Sequence, residues 1–347
     1  MKVEGLDKQF TVVGENMHCT RVFLRKGSRV GVTPDGQDAI LFSGDDGQQR
    51  YLVIPDRFKK TNDFKAGRVK HVQIAVNIAM ADQGADVQIA MDYLRYVVQR
   101  QVDAGVDFLD VNTDEISVKH AEQQKAIKWL VRTVQVMTEM PLSIDSSLMD
   151  TISAGMSVYD VGKNRPMLNS ASLERIEALD LAVKYGAHVI ITGAGESGMP
   201  EDAEQRVDNA SRMIDMALDR GIARGDIHVD LLVFPISVDG QYGRHFLDAV
   251  CQIRNKYGPE IHITGGMSNV SFGLPARRLV NDVFINLAIE AGADGGIIDP
   301  VARPIQGIVN LDKQGRAYQL ACRMLLGEDL FCEAFIASFR AGELQHH

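Results

Sequence analysis

The sequence predicts an α/β fold, a TIM-type (β/α)8 barrel with a small β-meander inserted after its first strand. Three observations lead there. Eight short apolar segments punctuate the 347 residues. Amphipathic helical stretches fill the intervals, the alternation that builds a parallel sheet covered on both faces. The first strand lacks the Gly-x-Gly-x-x-Gly turn of a doubly wound nucleotide-binding sheet, since Gly14 leads into Glu15-Asn16-Met17. A barrel of this kind commonly occupies a chain of this length as one unit, here residues 1–347.

The elements follow in order. The first strand is read at Phe10–Glu15. Residues from about 25 to 70 then break the rhythm: Arg29–Val32, Ala39–Ser43 and Arg50–Ile54 alternate, separated by Pro34-Asp35-Gly36 and Gly44-Asp45-Asp46-Gly47. Alternation with Gly/Asp turns predicts a meander, and insertion in a βα loop puts it on the face where barrels build sites. A helix over Val87–Ala104 precedes the second strand, Val106–Val111. The helix His120–Thr138 leads to the third strand, Pro141–Asp145, and the fourth lies at Pro166–Asn169. Helix Leu173–Tyr185, strand Ala187–Thr192, helix Glu201–Arg220 and strand His228–Val233 continue the pattern. Strand Ile261–Thr264, helix Asn281–Ala291 and strand Gly295–Asp299 complete it. Lys313–Leu326 and Asp329–Phe339 read as closing helices, at about 313–342 in all.

Composition narrows the function. Hydrophobic residues make up 45%, enough for a full core. The net charge is −9, from 37 basic and 46 acidic residues, and no Lys/Arg block offers a phosphate-backbone footprint. Nucleic acid is therefore not an expected partner. The four cysteines, Cys19, Cys251, Cys322 and Cys332, form no CxxC pair, which fits a reduced, cytoplasmic chain. The N-terminus lacks the apolar core of a signal peptide, and no apolar run approaches the ~18 residues of a membrane span.

Polar residues collect at the strand ends. Glu15 and Asn16 end the first strand; Asp110, Asn112, Asp114 and Glu115 end the second. Asp145, Ser146 and Ser147 end the third, and Asn169 and Ser170 the fourth. Asp230 is read inside the sixth, Ser268 and Asn269 follow the seventh, and Asp299 ends the eighth. A single Asp or Ser there is often only a helix cap. In a barrel, however, all these ends meet at one mouth. Carboxylates and carboxamides without a matching Lys or Arg suit a neutral ligand rich in hydrogen-bond donors, such as a pterin. A phosphate would call for Gly-rich amides or basic residues. A zinc ion would call for His and Cys at ligand spacing. His18 and Cys19 stand too isolated for that, so the pair is read as structural and no metal site is expected.

The run Gly265-Gly266-Met267-Ser268-Asn269-Val270-Ser271-Phe272-Gly273-Leu274-Pro275-Ala276-Arg277 resembles the GLSNVSFGLP-x-R signature of the pterin-binding methyltransferases. That family includes methyltetrahydrofolate:corrinoid methyltransferases and the folate-binding module of cobalamin-dependent methionine synthase. Leu109-Asp110-Val111-Asn112 resembles the family's LDVN, Ser143-Ile144-Asp145-Ser146 its IDS, and Asn169-Ser170-Ala171-Ser172 its NS-x-S. Gly198-Met199-Pro200 and Ile298-Asp299-Pro300 resemble its GIP and LDP. The resemblance covers roughly residues 8–20 and 85–310 and leaves the insertion out. There are departures. His18 stands where the family's GERIN has Asn, Leu231 where it has Pro, and Thr192–Glu196 replaces a Met-Asp-Glu-like run.

The resemblance implies an enzyme that moves a methyl group between N5 of (methyl)tetrahydrofolate and the cobalt of a corrinoid, in either direction. It implies Asn269 as the catalytic contact to N5, and Asp110, Asn112, Asp145, Asn169, Asp230, Ser268 and Arg277 as pterin-binding residues. Glu15, His18 and Asp299 are further candidates. No Asp-x-His-x-x-Gly run marks a corrinoid module in the sequence, so the corrinoid is expected on a separate partner protein. A homodimer is expected from the family. One alternative is a dihydropteroate synthase-like condensing enzyme, which needs a cation, typically Lys, in the loop after the seventh strand; here that loop reads Ser268-Asn269-Val270-Ser271. The other is a non-catalytic pterin-binding protein.

Overall fold

The computed structural model describes residues 9–81 and 84–344, with Ala85 described by its backbone only. The outermost residues of the single-domain reading, 1–8 and 345–347, lie outside the described residues. Eight strands form one sheet: β1 (Thr11–His18), β2 (Phe108–Asn112), β3 (Leu142–Asp145), β4 (Met167–Ala171), β5 (His188–Thr192), β6 (Ile227–Asp230), β7 (His262–Thr264) and β8 (Gly295–Ile298). Their order in the sheet is β7-β6-β5-β4-β3-β2-β1-β8. The neighbours follow chain order, and β8 also meets β7: the Ile297 N–H donates to the Gly265 carbonyl at 2.9 Å. Helices separate the strands. The fold is the predicted (β/α)8 class. No helix among the described residues is long and apolar enough to cross a membrane.

By internal packing the chain divides into two compact units, Gly14–Pro166 and the remainder, with Val13 and the residues before it joined to Met167 onward. In the unit Gly14–Pro166, β1 packs tightly at Gly14. A Cβ there would lie 2.5 Å from Gln101 Oε1 and 2.7 Å from Val106 Cγ1, so a larger residue does not fit. The same Gln101 oxygen accepts the Asn16 N–H at 3.1 Å. β2 is buried at every residue, as a strand covered on both faces must be. Its register with β3 sets Asn112 beside Asp145. The inserted meander is present, with strands Val30–Val32, Asp38–Ser43 and Gln49–Val53, each within one residue of its predicted bounds. It packs on the helix Ala85–Asp103: Phe42 lies against Tyr93 and Tyr96, and Arg50 pairs with Asp92 at 2.6 Å.

In the other unit, β4 and β5 shift register between Ile190 and Ile191, where Asn169 pairs with Ile190 and Ala171 with Ile191. Ser170 is thus skipped in the β4–β5 register. One strand prediction needs correction. The sixth strand was expected over His228–Val233 with Asp230 inside; β6 stops at Asp230. The cause is local: Leu232 takes φ 63°, outside the β region, and its N–H turns back to Asp230 Oδ1 at 2.8 Å. Asp230 is therefore a strand-end residue like the others. The closing helices are Arg316–Leu325 and Glu333–Arg340, and the Tyr318 hydroxyl ties the first to Asn286 at 2.9 Å.

Candidate active site

The unit Gly14–Pro166 carries a buried charge cluster at its strand ends. Asp110 points inward from β2 and is fully buried. Its Oδ2 lies 2.7 Å from Nε2 of His18, the last residue of β1. Asp145, ending β3, places Oδ2 3.9 Å from the same nitrogen. Residues two apart on a strand share a face, so Asn112 follows Asp110. Its Nδ2 donates to Asp145 Oδ2 at 2.7 Å, and its Oδ1 accepts the Asp114 N–H at 2.8 Å. Asp114 in turn accepts the Ser147 N–H at 2.8 Å and the Ser146 hydroxyl. The loops after β2 and β3 are thereby locked together, and Asn112 acts as the orienter of Asp145.

The charges follow from this geometry. Burial works against a charged His18, but the Asp110 carboxylate, by charge and hydrogen bond, outweighs it; with Asp145 and Glu15 behind, the imidazole pKa is raised to about 9. For Asp145, burial and then repulsion from Asp110 push the carboxyl well above the ordinary carboxylate range, with His18 and the Asn112 amide pulling the other way. Glu15 is paired with Arg21 at 2.9 Å. His18, Asp110 and Asp145 offer three ligand atoms within 4.8 Å of one another, a spacing open to a cation. His18 and Asp110 form an ion pair at 2.7 Å, with the Asp145 carboxyl beside it.

The other unit carries a second set. Asp230 accepts N–H groups from Leu232 and from Gly266. Burial raises its carboxyl to about 6, against those N–H groups and the charge of Arg206. Arg206 is fully buried in the helix Ala203–Asp219. Its Nε donates to the carbonyl of Leu231 at 3.0 Å, and its Nη1 to that of Asp202 at 2.7 Å. The guanidinium also sits 4.8 Å from the centre of the Phe234 ring. Arg206 therefore anchors the loop that begins at Asp230. After β7 the glycine pair makes room: a Cβ on Gly265 would lie 3.3 Å from Asp230 Oδ1, and one on Gly266 2.9 Å from Asn269 Nδ2. Asn269 lies in the 3-10 turn Met267–Ser271 and is half-buried.

The remaining predicted residues fall as follows. Asn169 is buried on β4, and Arg175 donates to the neighbouring Ser170 hydroxyl at 3.0 Å. Ser268 gives its carbonyl to Arg277 Nη2 at 3.1 Å. Arg277 also donates to the Ser271 hydroxyl at 3.0 Å and lies over Phe272, 4.5 Å from the ring centre, so it braces the Asn269 loop. Asp299 Oδ1 accepts the N–H groups of Val301 at 3.2 Å and Ala302 at 3.0 Å, which is a turn contact. Sequence reasoning missed Arg206 and the partners of His18. A signal existed for Arg206: it shares the buried stripe of Ala210, Met213, Ile214 and Ala217, where an Arg must have a reason to be. None existed for His18, whose partner Asp110 is 92 residues away.

Fold and site define a (β/α)8 protein whose strand ends carry carboxylates and carboxamides suited to a donor-rich heterocycle. Residues 73–299 match the family model described as pterin binding enzyme. The chain belongs to that family. A methylcorrinoid:tetrahydrofolate methyltransferase of Eubacterium limosum is 31% identical over 253 residues, 70% of this chain and 86% of that protein. A methionine synthase of Mycobacterium leprae (strain TN) is 27% identical over 230 residues, 61% of this chain but 18% of that one. A solved dihydropteroate synthase of Xanthomonas albilineans, in complex with indole-2-carboxylic acid and 6-chloroguanine, is 18% identical with a TM-score of 0.48, over 67% of this chain and 87% of that one.

Proposed function

We propose that the protein transfers a methyl group between N5 of tetrahydrofolate and the cobalt of a corrinoid held by a separate protein. The observation that carries this reading is the Asn269 turn, with its amide seated against Gly266 and its loop braced by Arg277. The similarity to a methylcorrinoid:tetrahydrofolate methyltransferase supports it. The same turn, Ser268-Asn269-Val270-Ser271, holds no Lys for a pyrophosphate, which weighs against a condensing enzyme of the synthase type.

The donor set fits a reduced pterin. Its 2-amino and ring N–H groups need acceptors, and Asp145, oriented by Asn112, and Asp230 supply them. Asn169 is a further pterin contact in this reading. The methyl-bearing nitrogen is a poor leaving group, because electron density builds on N5 as the bond to carbon breaks. An Asn269 N–H aimed at N5 stabilises that density while N5 takes up a proton from water; in the reverse direction N5 gives its proton to water and its lone pair takes the incoming methyl. The corrinoid, when docked, supplies the cobalt that accepts or gives the methyl. The protein orients the two reactants. A homodimer in a cytoplasmic setting belongs to the same reading and is checked by sedimentation.

The test mixes the protein with 5-methyltetrahydrofolate and cob(I)alamin and follows the cobalt absorbance. Methylcobalamin is expected, with the rate in Asn269→Ala lower by roughly 10²–10³, the usual scale for one electrostatic donor. Folate binding without methyl transfer, even with added corrinoid protein, would sink the assignment.

A further inference from the structure

Where the resembling family has Asn, this chain has His18, and that replacement changes the charge of the strand-end cluster. Two carboxylates that both stay ionised beside one buried ligand repel each other, and a neutral pterin edge offers no charge to offset them. Here the imidazole contacts Asp110 at 2.7 Å and stands 3.9 Å from Asp145. We infer that His18 is the counter-charge of Asp110, a positioning residue that leaves Asp145 free to accept from the amino edge of the pterin. The inference rests on the pterin reading above and deepens it.

Each neighbour has a part. Asp110 on β2 is the ion-pair partner, with its Oδ2 taken up by the imidazole. Asp145 on β3 is only touched at 3.9 Å, and its Oδ2 is steered by the Asn112 amide at 2.7 Å. Glu15, on the same strand as His18, has its own cation in Arg21. Asp114 faces the cluster from the loop after β2 but is spent on the Ser146 hydroxyl and the Ser147 N–H. With His18 charged, the cluster of His18, Asp110 and Asp145 carries a single negative charge, and that charge is placed on Asp145.

The consequence is a binding profile with two limbs. Asp145 must be ionised to accept, so affinity falls as pH drops through its raised pKa. His18 must be protonated to offset Asp110, so affinity also falls as pH rises through about 9. Removing the imidazolium takes away a group that lowers the Asp145 pKa, so the acid limb moves to higher pH.

The experiment measures binding of 5-methyltetrahydrofolate from pH 5 to 10 for wild type, His18→Gln and His18→Asn, with circular dichroism as the folding check. Wild type is expected to give both limbs. In each variant binding at pH 7.5 weakens by roughly tenfold or more, the alkaline limb disappears, and the acid limb shifts upward. A purely structural role would weaken binding without moving either limb, and that outcome overturns the inference, as does unchanged binding. The ring ¹⁵N resonances of His18 in wild type give a second reading that needs no variant. Both nitrogens protonated at pH 7.5, with loss of a proton near 9, support it; a neutral ring at pH 7.5 overturns it. Wild type that fails to bind 5-methyltetrahydrofolate at any pH removes the pterin reading itself and this inference with it. Binding that is normal in both variants removes only the inference.

Discussion

At the scale of the residue, the chemistry depends on side chains that are missing as much as on those present. Gly266 has no Cβ, and the Asn269 amide occupies the space where one would be, 2.9 Å from it. Gly266→Ala is therefore expected to push that amide away while leaving the Asp230 carboxyl in place. If Asn269 serves N5, methyl transfer drops by roughly 10²-fold, the scale of a misplacement of about 1 Å, while folate affinity changes only a few-fold. Single-turnover rates set beside equilibrium binding make the check, and parallel losses in both would point instead to a disturbed pocket. This is also the scale at which sequence reading was weakest. The Gly-Gly pair was visible as a motif, but its purpose was not, because the space it clears belongs to a side chain three residues on and to Asp230 on another strand. His18 stood among the further site candidates, but its partner could not be read, because only the packing of strand ends shows it meeting Asp110.

At the scale of the element, most of the architecture was legible. β2, β4 and β5 are buried at nearly every residue; β5 shows this as a near-continuous apolar run, while β2 and β4 show only an apolar pair before Asp110 and Asn169. The meander was legible from alternation and its Gly/Asp turns. β6 was overrun because Leu231, Leu232 and Val233 extend the apolar run, while a left-handed Leu232 ends the strand. Nothing in an apolar residue announces that backbone. The element that fixes it is the helix Ala203–Asp219, through Arg206. Arg206→Met keeps much of the volume but leaves the buried Leu231 carbonyl without its donor. A buried acceptor left unpaired costs about 1–3 kcal/mol, and a loss of that size is expected. Urea denaturation measures it. The Asp230 loop should loosen as well, seen as faster amide exchange at Leu232. A variant as stable as wild type would mean that the guanidinium carries no net weight there.

At the scale of the molecule, β1 sets how the chain unfolds. Its residues up to Val13 belong to one compact unit and those from Gly14 to the other. In the first, the Thr11 N–H donates to the Asp294 carbonyl at 2.8 Å. In the second, the Asn16 N–H donates to Gln101 Oε1 at 3.1 Å and the Cys19 N–H to the Asn112 carbonyl at 3.0 Å. A strand held at both ends cannot keep its geometry once either hold is lost, so the two units are expected to melt as one cooperative step. The chain reports on this directly, because its one Trp, Trp129, lies in the helix His120–Met137 of the unit Gly14–Pro166. Its fluorescence follows that unit, while far-ultraviolet circular dichroism follows the whole chain. The two melting curves should coincide. The sharper trial is Arg206→Met, a change confined to the other unit. A loss of roughly 1–3 kcal/mol in a chain of this size lowers Tm by roughly 1–4 °C. Cooperative melting requires the Trp129 curve to move by that same interval. If the Trp129 curve stays in place while the circular dichroism splits, the units unfold independently, and β1 is only a tether between them.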